Sequence, residues 1–157
     1  MLNNKNILIT GAGSGIGRAT SLLAAGYGAN VFCVDLTDGA DATAAEIQAA
    51  GGTATSLRAN VADEAEVETF VQQCVDHYGS IDGIYANAGV SGGGKSVTEL
   101  TVEDWQRTLG VNTVGVFLAV KHSLKHFLAQ GHGAIVCTAS VAGLRDNAGG
   151  VGYSASE

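Results

Sequence analysis

Residues 7–17 read ILITGAGSGIG, an apolar run that passes straight into four glycines, Gly11, Gly13, Gly15 and Gly17. Glycine leaves the backbone open to close approach and accepts φ > 0. A strand can therefore turn sharply here and present N–H groups to an anion at a helix start. The partial positive charge of that helix end favours a pyrophosphate. The spacing departs from GxGxxG, because Ile16 stands where the third glycine would follow Gly11 and Gly13, while Gly11, Gly15 and Gly17 fit GxxxGxG. No Lys-Ser or Lys-Thr pair follows, so this is not a Walker loop. Taken alone, the stretch serves equally well as a tight strand-to-helix packing turn. Its context decides between the two readings.

Outward from that turn, apolar runs alternate with helical patterns, the signature of a parallel sheet covered by helices on both faces. Strands are expected at residues 6–10, 30–35, 53–59, 81–86 and 134–139. Helices are expected at about 15–25 and at about 40–50, the second stopped by Gly51 and Gly52. A third runs from Asp63 as N-cap to about residue 78, with Val67, Phe70, Val71, Cys74 and Val75 recurring on one face. Thr101 caps a long helix to about Gln130, with an irregularity expected near residues 110–112 or at Gly115. SGGGKS at 91–96 reads as a flexible loop, VAGLRDNAGG at 141–150 as a final loop, and Tyr153 as the start of another helix. The length of 157 residues suits a single domain over 1–157, and neither repeats nor linkers interrupt it.

Charged residues make up 15% and apolar ones 46%, the composition of a globular interior under a modest surface. A net charge of −7 leaves no footprint for nucleic acid or for an anionic membrane. The start, MLNNKNILIT, has neither the charge pattern of a secretory signal nor the length of a spanning helix, and a cytoplasmic location is expected. Cys33, Cys74 and Cys137 are widely spaced inside apolar runs, which predicts three reduced core thiols and no disulfide framework or metal cage. His122 and His126 stand four apart, but HSLKH lacks the metalloprotease glutamate; a solvated helix face is expected there, and no metal site. Trp105, near the start of the long helix, is expected to anchor it by packing.

Asp35 ends the second strand, 18 residues after Gly17. A dinucleotide fold places there the acid that accepts from the adenosine ribose hydroxyls, and a carboxylate repels a 2′-phosphate. Ser14 and Leu36 offer no basic group to hold such a phosphate, so NAD(H) is favoured over NADP(H). A solvated strand-end Asp is the plainer alternative.

Four further segments complete a pattern: Asn87-Ala88-Gly89 after the fourth strand, Asn112 within the long helix, Ser140 after the fifth strand, and Tyr153. With Thr10-Gly11, Gly15-Ile16-Gly17 and Asp35, their order and spacing resemble the short-chain dehydrogenase/reductase family. The resemblance covers the whole chain. It implies a Rossmann-like doubly wound α/β fold with strand order 3-2-1-4-5, here truncated before the last strands and the substrate-covering region. It also implies cofactor contacts from Gly11, Ser14, Gly15, Ile16, Gly17, Asp35, Asn87, Ala88 and Gly89. Where the family usually has an Asp for the adenine amino group, Asn60 and then Val61 stand; an Asn oxygen still accepts, and a turn role for Asn60 is the alternative.

The implied chemistry is hydride transfer between a nicotinamide and an alcohol or carbonyl substrate. In that scheme Tyr153 acts as acid/base, Ser140 hydrogen-bonds the substrate oxygen, and Asn112 positions a relay water. A free tyrosine, with a pKa near 10, is a poor base at neutral pH. The family supplies a lysine four residues on, one helical turn away on the same face. Here that position is Glu157, also the last residue, so negative charge is expected where an ammonium belongs. Little or no turnover is therefore expected. A non-catalytic dinucleotide-binding fragment or pseudoenzyme is the alternative, and a protein associating through the long helix and the fifth strand is a third. That strand, AIVC, has the composition of one flanked and covered on both sides yet falls at a sheet edge, so a homo-oligomer or other self-association is expected.

Overall fold

The computed structural model describes residues 1–145 and 148–157, so two positions of the loop expected at 141–150 lie outside the described residues. Five parallel strands, β1 (Asn6–Thr10), β2 (Asn30–Asp35), β3 (Thr53–Arg58), β4 (Gly83–Ala86) and β5 (Ala134–Cys137), form one sheet in the order β3-β2-β1-β4-β5. Its two faces follow from alternation along each strand. Leu8, Phe32, Val34 and Ile84 pack with Phe70, Val71 and Cys74 of α3 (Glu64–Tyr78) and with Leu118 and Phe127 of α5 (Val116–Gln130). On the opposite face, Ile9, Val31 and Cys33 pack with Ala24 of α1 (Gly15–Gly26) and with Ala40, Ala44 and Ile47 of α2 (Gly39–Ala49). Sheet growth from β1 first to β2 and β3, then back to β4, puts a topological switch between β1 and β4. In such sheets a crevice opens at that point, beyond the strand C-termini.

The helix ends carry the expected chemistry. Asp63 accepts from the N–H groups of Ala65 and Glu66 at 2.9 and 3.2 Å, and α3 ends on Gly79 at φ 82°. Thr101 and Asp104 form a capping box at α4 (Val102–Leu109). The irregularity expected in the long helix is a π-helical segment, Gly110–Gly115, between α4 and α5. Gly115 lets it pass close over Val61, whose Cγ2 would lie 2.8 Å from an added Cβ. A short helix, α6 (Val151–Ser156), packs on α4, with Gly152 against the half-buried Trp105 ring.

Several sequence expectations are corrected. Regular pairing of β4 begins at Gly83 and not at 81, although the Asp82 backbone N–H still donates to the Asn6 carbonyl at 2.8 Å and its carboxylate accepts from the Asn6 N–H at 2.9 Å and Lys5 Nζ at 2.8 Å. Strands β3 and β5 stop at Arg58 and Cys137, short of 59 and 139. Cys33 and Cys74 are buried, and burial pushes their thiols up to about 11 and about 12. Cys137 is exposed, because β5 is an edge strand. His122 does not lie on a solvated face. It continues the inward stripe of Leu118, Ala119 and Ser123 and is 4% exposed, with Nε2 3.1 Å from Glu64 Oε1. Among the described residues, no helix is long and apolar enough to cross a membrane, and no three His, Cys, Asp or Glu side chains gather as for a metal.

Candidate active site

The glycine turn is shaped by what a side chain would hit. A Cβ on Gly11, at φ 69°, would lie 2.9 Å from Ala88 Cα. One on Gly17 would run into the Gly11 carbonyl and come within 2.7 Å of Asn87 Nδ2. These two glycines seat the β1–α1 turn on the end of β4. One on Gly13 would come within 2.9 Å of the Asp35 carboxylate. Gly15, at φ 51°, has nothing within 4 Å of an added Cβ and faces a cavity that Ser14 and Ile16 also line. Ser14 holds the N-cap position of α1 without a side-chain cap bond, and the N–H groups of Gly15 and Ile16 find no acceptor among the described residues. Orphan donors at a helix start, facing a cavity, suit an anionic oxygen.

Asp35 is half-buried at the end of β2. Its Oδ1 accepts from the Thr37 N–H and hydroxyl at 3.0 and 2.9 Å, and its Oδ2 from the Gly13 N–H at 2.9 Å. An ionised carboxylate has about four acceptor positions, so Oδ2 keeps room for one more donor on the cavity side. Asn60 lines the same wall. Its Oδ1 accepts from the Ala62 N–H at 3.0 Å, an Asx turn, and its own N–H donates to Glu66 Oε2 at 2.7 Å. Val61 is buried beside it and also lines the cavity.

The end of β4 is fixed by Thr10, whose buried hydroxyl accepts from the N–H groups of Asn87 and Ala88 at 3.0 and 3.1 Å. Asn87 Nδ2 donates to the Thr10 carbonyl at 3.2 Å. The Thr138 hydroxyl stands 2.9 Å from both Asn87 Oδ1 and Tyr85 Oη. An amide oxygen only accepts, so Thr138 donates to Asn87 and receives the phenol's proton. The side chain of Asn87 thus ties the ends of β1, β4 and β5 together.

Asn112, in the π-helical segment, is 9% exposed and holds the loop after β4 as a strand neighbour would. Its Oδ1 accepts from the Val90 N–H at 2.8 Å, and its Nδ2 donates to the Val90 carbonyl at 3.0 Å. Nδ2 also reaches Ser156 Oγ at 2.9 Å and Glu157 Oε1 at 3.4 Å. The widened turn aims this amide at the cavity, with Gly89 against it.

One cavity, with a volume of about 470 Å³, brings together Gly11, Ser14, Gly15, Ile16, Asp35, Asn60, Val61, Asn87, Ala88, Gly89, Asn112, Tyr153 and Glu157. Gly17 lies behind the turn, and Ser140 is not on the wall; its Oγ accepts from the Ala142 N–H at 3.2 Å and caps a 3₁₀ turn, Val141–Gly143. Thr138, Leu36, Val90 and Val111 also line the cavity and were not singled out as site residues from sequence. A hydroxyl closing β5, in the CTAS run, was the readable signal for Thr138. The apolar lining residues carry no mark that separates them from core. Among the described residues, the wall holds two carboxylates, Asp35 and Glu157, and no Lys, Arg or His.

Comparison with known proteins bears on this geometry. A family model described as short chain dehydrogenase matches residues 5–157. The chain is 42% identical over 143 residues to a cyclohexanol dehydrogenase of Acinetobacter sp. (strain SE19), covering 90% of this chain and 57% of that protein. The crystal structure of a levodione reductase superposes with a TM-score of 0.93 at 36% identity, over 98% of this chain and 61% of that one. The structure of an NAD+-bound xylitol dehydrogenase gives 0.93 at 33% identity, over 99% of this chain and 60% of the other. The chain thus spans about three-fifths of the relatives it matches.

Proposed function

The chain belongs to the short-chain dehydrogenase family, and from that premise we propose that its cavity holds NAD(H) in preference to NADP(H), in an oxidoreductase acting on an alcohol or carbonyl. The observation that carries the reading is the single cavity joining the Gly11–Ile16 turn and Asp35 at one end to Asn112 and Tyr153 at the other. The residues present fit the cofactor. An anion-ready turn faces open space at Gly15, and Asp35 Oδ2 has acceptor capacity left for a ribose hydroxyl. That carboxylate opposes a 2′-phosphate, and among the described residues no lining cation offsets it.

When bound, the nicotinamide supplies or takes up the hydride. Tyr153, half-buried on the wall, exchanges a proton with the substrate oxygen, and Asn112 holds the neighbouring backbone and a relay water in place. Ser140 Oγ accepts from the Ala142 N–H and keeps its own O–H to donate toward that oxygen. Glu157 places a carboxylate on the cavity wall one turn on from Tyr153, where the family resemblance puts a lysine.

Two observations, Glu157 on the wall and Ser140 off it, favour a second reading in which the chain binds the dinucleotide with little turnover. NADH consumption with a panel of cyclic and open-chain ketones separates the two: background rates support the second, and rates of an ordinary reductase, roughly 10 per second, remove it.

Self-association is also proposed. Phe117, Leu124 and Leu128 make an apolar stripe on α5 that is 59%, 40% and 74% exposed, and β5 offers an open edge. Sedimentation velocity tests this; a monomer at all concentrations contradicts it.

A further inference from the structure

We propose that Glu157 makes this cavity discriminate between the two redox forms of its dinucleotide, holding oxidised NAD+ more tightly than NADH; this rests on the reading that the cavity holds NAD(H). The two forms share adenosine, riboses and pyrophosphate and differ in one charge, since the oxidised ring is a pyridinium cation and the reduced ring is neutral. Everything at the Asp35 end therefore acts on both alike. With the adenosine end at Asp35, the ring lies at the far end of the cavity, where the charged lining residue is Glu157.

Glu157 is held at that wall. Thr113 Oγ1 donates to the Ser156 carbonyl at 3.1 Å, and Asn112 Nδ2 reaches Ser156 Oγ at 2.9 Å and Glu157 Oε1 at 3.4 Å. Gly143 lies flush against the Glu157 backbone, where an added Cβ would sit 2.8 Å from the carbonyl carbon. Nothing local cancels its charge. Among the described residues, Glu157 takes part in no ion pair, and no lining Lys, Arg or His competes for it. A half-buried carboxylate near a ring that gains or loses a positive charge favours the charged ring. With partial solvent screening the preference is on the order of tenfold in Kd.

The test is calorimetric titration of the 157-residue chain with NAD+ and, separately, with NADH, repeated on Glu157→Gln and Glu157→Lys. The expected result is a Kd for NAD+ about tenfold below that for NADH, a ratio near one in Glu157→Gln, and a reversed ratio in Glu157→Lys. Equal Kd values or tighter NADH binding in the unaltered chain overturns the inference and leaves the cofactor reading standing. A preference retained in Glu157→Gln also overturns it. If neither form binds the unaltered chain, the cofactor reading itself falls, and this inference with it.

Discussion

β1 and β2 bury Leu8, Ile9, Val31, Cys33 and Val34 completely, whereas all four residues of β5 are exposed, although both regions build walls of one cavity. The glycine turn and Asp35 stand on the first region, packed from both faces of the sheet. Tyr153 and Glu157 stand on the short helix α6, which packs on α4 and on the 3₁₀ turn that follows β5 and is held by Asn112, Thr113 and Gly143. The difference teaches that the grip on a dinucleotide and the chemistry at its far end rest on separate supports. Hydrophobic burial fixes the first, and a handful of hydrogen bonds fixes the second.

The sharpest way to break this contrast is by core deletion. Phe70→Ala, in the cluster under β1 and β2, should cost about 4 kcal/mol in urea unfolding, while Val136→Ala on β5 should change stability by less than about 0.5 kcal/mol. Comparable losses would erase the distinction. Next in size, Asn112→Ala leaves the Val90 N–H and carbonyl without their partner and should cost about 2 kcal/mol. Amide exchange should then speed up across α6 and stay slow in β1; uniform loosening would contradict separate supports.

At the cofactor end, Asp35→Ala should weaken NADH binding about tenfold, or ~1.4 kcal/mol, and remove the preference over NADPH. A variant that still rejects NADPH would assign that preference elsewhere.

The smallest effect lies at a helix cap. The Asp104 carboxyl is held at about 2, below its ordinary 3.8, first by the hydrogen bond from Lys95 and then by Thr101. A lowered carboxyl pKa contributes stability above about pH 4 that is lost as the pH falls through about 2. Asp104→Asn should therefore lower the melting temperature at pH 7, with the difference from the unaltered chain vanishing near pH 2. A constant difference at both pH values would show that the carboxylate charge is not its source.

What the residues disclosed in advance follows the same divide. The alternation of strands and helices, the turn and the caps at Asp63 and Thr101 were legible because each depends on local chemistry or periodicity, whereas the strand order came with the family resemblance. The break at Gly110–Gly115 was visible as glycines, though its π-helical form depends on the passage over Val61. Less was legible where tertiary neighbours decide. His122 reads as polar and is buried because α5 lies on α3, with Glu64 beside the ring. Cys137 reads as core and is exposed because β5 has a neighbour on one side only. Ser140 was expected at the substrate; it does not line the cavity, and its Oγ accepts from the Ala142 N–H while its O–H stays free to donate. Thr138 lines the cavity, held by hydrogen bonds to residues more than fifty positions away.

The central claim is that the cavity joining the Gly11–Ile16 turn and Asp35 to Asn112 and Tyr153 holds a nicotinamide dinucleotide. Titrating the chain with NADH, with nicotinamide fluorescence as the signal and ketone-dependent oxidation followed in the same samples, tests it most directly. The account predicts saturable binding, competed by NAD+, and the oxidation rate in the same samples separates the two readings of turnover. Absence of binding would contradict it.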